Sequence, residues 1–82
     1  MTKNQKARLE EMLLKYNASM AKHIQIEHEA SSAGAESLAE LHHEQARVDG
    51  AIFYGITEAL RALGYDRVWV DDDAIEIRKY AS

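Results

Sequence analysis

Between Leu38 and Leu63, apolar side chains recur at three- and four-residue steps for about seven helical turns. The run is Leu38, Leu41, Gln45, Val48, Ile52, Ile56, Ala59, Leu60 and Leu63, and Gln45 is its one polar member. A stripe of that length dictates an amphipathic helix over about 37–63, and such a helix must hide its apolar side against something. Gly64 stands where a left-handed C-terminal cap is wanted, with Arg61 in the last turn and Tyr65 placed to fold back on Leu60. Gly50 and Gly55 inside the run each cost about 1 kcal/mol relative to alanine. Beside Ala51, Ala59 and Ala62, they allow another helix or strand to come close.

A second helix precedes this one. Thr2 and Gln5 fit a capping box, and Leu9, Leu13, Tyr16, Met20 and Ile24 then form one stripe that carries a helix over about 3–30. The stripe lapses in Ser31-Ser32-Ala33-Gly34-Ala35-Glu36-Ser37, where small, turn-prone residues gather, so a helix-helix turn is expected at about 31–36. Ser37 with Glu40 would cap the next helix, which could equally start near Ala35. One continuous helix is the rival reading: Ile24 and Leu38, and Glu27 and Leu41, are fourteen residues apart, so the heptad phase survives the turn. That helix would run for about 90 Å and could hide its stripe only by oligomerising. The clustered turn residues favour the hairpin.

The C-terminal segment changes period from helical to alternating. With Asp72 and Asp73 as a two-residue turn, Val70 faces Ile75, Val68 faces Ile77, Arg67 faces Arg78 and Tyr65 falls opposite Tyr80. The aliphatic pairs then share one face, with Trp69 and Glu76 on the other. The expected fold is a single α+β domain over 1–82, two long antiparallel helices followed by a two-stranded antiparallel β-hairpin at about 66–80. Two strands alone are marginal, so the hairpin must pack on the helices or gain strands from a partner.

Composition narrows the function. At 82 residues without cysteine, one core supplies only a few kcal/mol and neither disulfides nor thiolate metal sites can reinforce it. No secretory leader and no apolar run of spanning length is present in the sequence, so a soluble, cytoplasmic protein without membrane contact is expected. The net charge of −4 argues against direct nucleic-acid binding. The charge is unevenly spread. Lys3, Lys6, Arg8, Lys15 and Lys22 outnumber Glu10 and Glu11 at the start, whereas Glu27, Glu29, Glu36, Glu40, Glu44, Asp49 and Glu58 face only Arg47 in the middle.

No cysteine nucleophile, phosphate-binding glycine loop or Ser-His-Asp grouping can be assembled, so no enzyme and no cofactor are expected. Folding the helices back near Gly34 brings together residues whose numbers sum to roughly 65, which sets His23 beside His42 and His43 with Glu27 one turn away. Imidazoles and carboxylates are zinc ligands, yet the spacing fits no metal motif and adjacent His42 and His43 point about 100° apart. These four are therefore candidates without a metal assigned. Asp71, Asp72 and Asp73 lack the glycine and terminal glutamate of a calcium loop and read as a solvated acidic tip.

The function expected is a small protein-interaction module, self-associating, that binds or inhibits another macromolecule through a helical face or the hairpin edge. Apolar residues on more than one face of the second helix motivate it. Phe53, Tyr54, Trp69, Asp71, Asp72 and Asp73 are the expected partner contacts. Two alternatives stay open: an acidic inhibitor of a nucleic-acid enzyme, akin in general layout to small accessory proteins of bacteria and their viruses, and a His/Glu metal-binding protein.

Overall fold

A computed structural model describes residues 1–80. It contains helix α1 (Lys3–Ser32), helix α2 (Glu36–Ala62), strand β1 (Tyr65–Asp71) and strand β2 (Ala74–Lys79), an α+β helical hairpin followed by a two-stranded antiparallel sheet. The described part measures 49 × 23 × 22 Å. Its long axis follows the helices.

Local chemistry explains the element ends. The Thr2 hydroxyl accepts the Gln5 N–H at 3.1 Å and the Gln5 side chain accepts the Thr2 N–H at 3.0 Å, closing the expected capping box. The chain reverses at Ala33–Ala35, where Gly34 takes φ 77°, a left-handed conformation that costs glycine no Cβ clash. This turn excludes the continuous helix. Helix α2 starts two residues earlier than a Ser37 cap would place it, with Ala35 at its N-cap and no side-chain cap bond. Gly64, at φ 86°, ends α2 as expected and sends the chain straight into β1.

The core gathers where the hairpin meets the helices. Leu13, Phe53, Leu60, Ile75 and Ile77 are buried together, with Leu9, Leu14, Tyr16, Ile56 and Tyr65 packed around them. Four contacts hold the sheet on one flank of the helix pair. Lys6 lies 3.9 Å from Glu76, the Ile77 N–H donates to Glu10 Oε2 at 2.8 Å, Arg67 Nε donates to the buried Thr57 hydroxyl at 3.0 Å, and Arg61 meets Asp66 at 3.4 Å. The Arg67 guanidinium also lies 4.7 Å from the Phe53 ring centroid, a cation–π contact.

The strand register corrects the expected one. Asp71 does pair with Ala74 around Asp72 and Asp73, but an irregularity between Trp69 and Asp71 leaves Val70 unpaired. Beyond it Trp69 opposes Ile75, Val68 opposes Glu76, Arg67 opposes Ile77, Asp66 opposes Arg78 and Tyr65 opposes Lys79. Among the described residues only Gly34 and Gly64 have positive φ, so the Asp72-Asp73 turn is neither of the primed types that match strand twist. The extra residue at Val70 restores the twist, as bulges do. Trp69 therefore shares the face of Ile75 and Ile77, and Val68 shares the face of Glu76. The Asp73 N–H donates to Asp71 Oδ1 at 2.7 Å, fixing the tip as an Asx turn.

No helix among the described residues is long and apolar enough to cross a membrane.

Candidate functional site

Which side of α2 meets α1 decides what the molecule leaves exposed. The buried positions of α2 are Ala46, Gly50, Phe53, Thr57 and Leu60. They recur at four and three residues, so they form one stripe. Most of the seven-turn apolar run noted above lies about a third of a turn away on the same helix, although its member Leu60 belongs to the buried stripe and Ile56 packs against the core. Four of its large members are open to solvent: Leu41 is 53% exposed, Val48 45% and Leu63 71%, with Leu38 also exposed. The apolar arc of α2 is thus wider than α1 and the hairpin can cover.

The seam is made by small and polar groups. Met20 Sδ lies 3.1 Å from where a Cβ would stand on Gly50, so here the glycine admits the neighbouring helix. Ser19 donates to Asp49 Oδ2 at 2.6 Å. Next to it, His23 and His42 stack at 4.9 Å between centroids, and their Nδ1 atoms are 2.7 Å apart. One ring must donate that hydrogen bond and the other accept it. Gly55 is different from Gly50: nothing lies within 4 Å of the place its Cβ would take.

The sequence level rule brings the histidines together only in part. His23 joins His42, while His43 turns away and meets Glu27 at 2.9 Å. The 100° between neighbouring helix positions separates them. The His23 and His42 nitrogens are in direct hydrogen-bond contact, which leaves no room between them for an ion with bonds of about 2.0–2.1 Å. Among the described residues no group of three or more His, Asp or Glu is arranged to hold a metal ion.

The remaining candidates divide by exposure. Phe53 is a core residue, 3% exposed, which removes it from the expected contact set. Tyr54, Trp69, Asp71, Asp72 and Asp73 are exposed, and Val70 beside them is turned outward by the bulge. The hairpin edges are partly occupied, because the Ile77 N–H donates to Glu10 and the Arg67 N–H to its neighbour Asp66 at 2.8 Å.

Two grooves lie along the open flank of the helix pair. A groove of about 310 Å³ is lined by Leu41, Glu44, Gln45, Val48 and Asp49. Towards the other end, a larger groove of about 770 Å³ is lined chiefly by Met1, Leu9, Met12, Leu63 and Tyr65, with Arg8 and Glu11 at its rim. Met12 and Ser19 are seven residues apart on α1, and Ser19 reaches Asp49, so both grooves lie on one side of the molecule. Lys6 and Glu10, which hold the sheet, are on the other side. Glu44 borders the first groove, paired with Arg47 through Nε at 3.1 Å and through Nη2. Hydrogen bonding to Arg47 holds the Glu44 carboxyl below the ordinary carboxylate range and raises Arg47 in turn.

The uncovered run was legible as periodicity, but that it faces away from α1 was not, because the seam positions Ala46, Gly50 and Thr57 carry little hydrophobic signal. No protein-family model matches the chain, and no curated protein or solved structure matches it either.

Proposed function

We propose that this chain is a non-enzymatic protein-interaction module whose docking surface is the uncovered flank carrying Leu38, Leu41, Val48 and Leu63. The observation that supports it is the exposure of Leu38, Leu41, Val48 and Leu63, four members of the longest apolar run in the sequence, on a helix already packed along another stripe. Exposed large apolar side chains grouped on one face mark interaction sites more than scattered ones do. The hairpin is the weaker docking element, since Glu10 and Asp66 engage edge amides that an added strand would need.

The test uses the chain as bait for proteins of its native host in three forms: wild type, Leu41→Glu/Val48→Glu, and Trp69→Ala. Capture is expected to be lost in the helix variant and retained in the tip variant. Retention in the helix variant with loss in Trp69→Ala moves the function to the hairpin tip and overturns the reading.

A further inference from the structure

The two ends of the helical hairpin are closed by different means. At the sheet end Leu13, Phe53, Leu60, Ile75 and Ile77 form the core. From the level of His23 and His42 to the turn, Ala30 is the one buried residue among those described. Polar contacts span the seam there, His23 to His42 and His43 to Glu27. We infer that the His23–His42 pair is a proton-operated latch: it keeps the turn half of the hairpin closed while it holds at most one added proton, and releases it when both imidazoles are charged. This holds whatever docks on the open flank of α2.

The hydrogen bond itself sets the limit. The rings stack at 4.9 Å between centroids and Nδ1 meets Nδ1 at 2.7 Å, so one Nδ1 must carry a hydrogen and the other a free lone pair. A neutral pair satisfies this. So does a pair with one added proton: His23 then carries hydrogens on both nitrogens, with Nε2–H towards the Asp49 carboxylate, 4.0 Å away, and Nδ1–H donated to His42. A second proton takes the last lone pair. It sets two N–H groups head to head, and two cations against each other on a seam where the His23 and Asp49 side chains are only 19% and 15% exposed.

The surroundings supply one countercharge and not two. On α2 it is Asp49, which already accepts the Ser19 hydroxyl of α1 at 2.6 Å. Glu27, one turn beyond His23 on α1, is engaged by His43 at 2.9 Å, and Lys22 beside His23 adds positive charge at an exposed position. The charged groups by which the strands reach the helices, Arg67, Asp66 and Glu76, meet Thr57, Arg61 and Lys6 at the far end. Below the ordinary histidine range, near about 6.5, the open pair binds two protons and the closed pair one, so closure is lost as pH falls, by about tenfold in the opening equilibrium per pH unit. Protonation of His43 acts the other way, by strengthening its contact with Glu27, but its side chain is 66% exposed and the effect is small. Opening stays local because the core and the sheet hold the other end.

Amide hydrogen exchange of the full chain, corrected for the intrinsic rate, reads the opening. Between pH about 7.5 and about 5.0 the opening equilibrium of amides in residues 24–30 and 39–46 is expected to rise about tenfold or more, with residues 53–60 unchanged. His42→Gln, which gives His23 a partner that takes no proton, is expected to abolish the rise, and His43→Gln to keep it. A second reading needs no variant: ring nitrogen spectra of the wild type at neutral pH are expected to show one Nδ1 protonated and the other bare, with a scalar coupling between them. Two bare Nδ1 atoms without coupling would overturn the latch. So would a turn half that stays protected with both rings charged, a core that opens together with it, or an acid response that survives in His42→Gln.

Discussion

The two faces of α2 answer to different requirements. The covered face uses Ala46, Gly50, Thr57 and the ring of Phe53, side chains chosen for fit: small ones where α1 approaches, a hydroxyl where Arg67 reaches in. The uncovered face uses Leu38, Leu41, Val48 and Leu63, side chains whose main property is apolar area. Hydrophobic periodicity registers the second kind and hardly sees the first. Much of the longest apolar run in this chain therefore reports an exposed surface, and the packing of α2 on α1 and the sheet rests on a stripe of weaker signal.

Substitutions on the two faces should break in opposite ways. Ile77→Asp places a charge at a position 2% exposed in the core, with an expected loss of about 4 kcal/mol or outright unfolding in a urea titration. Phe53→Ala on the covered face should cost about 3 kcal/mol. The equivalent change on the uncovered face, Leu41→Ala, should cost no more than about 0.5 kcal/mol in dilute solution; a loss as large as that of Phe53→Ala would show that the two faces are not distinct.

Two polar contacts sharpen the account of how the sheet is held. Glu10→Ala removes the acceptor of the Ile77 N–H and should destabilise by about 1–2 kcal/mol, with faster hydrogen exchange at Ile77. Gly55→Ala should stabilise the dilute chain by about 1 kcal/mol, since the new methyl meets nothing. Gly50→Ala should gain less, because its methyl must displace Met20. The smallest effect concerns Glu76, whose carboxyl is held below its ordinary value of 4.5 by the hydrogen bond to Arg78 and, less, by the Arg78 and Lys6 charges. A lowered folded value gives stability that is present above the ordinary carboxylate range and lost as pH falls through the folded value. Arg78→Gln should flatten that acid limb of the stability curve.

Much of the architecture could be read from particular residues. Thr2 with Gln5, the small residues around Gly34, and Gly64 after Arg61 each specify a local geometry with few alternatives, so the helical hairpin and its exit into β1 followed from them. The level rule placed His23 beside His42 because an antiparallel pair conserves the sum of residue numbers. The sheet register was lost by one residue because alternation assumes a primed turn, whereas Asp72-Asp73 turns without positive φ and Val70 takes up the difference. Phe53 was misplaced for a related reason: an aromatic beside Tyr54 reads as surplus until Arg67 and the hairpin are seen to close over it.

The central claim is that the exposed members of the run from Leu38 to Leu63 serve binding and not the fold of the chain. A urea titration of the wild type and of Leu41→Asp/Val48→Asp, each also used as bait for host proteins, tests it most directly. The account predicts that the variant unfolds within about 0.5 kcal/mol of the wild type and captures nothing that the wild type captures. A variant that is destabilised by several kcal/mol, or one that keeps the wild-type capture, would contradict it.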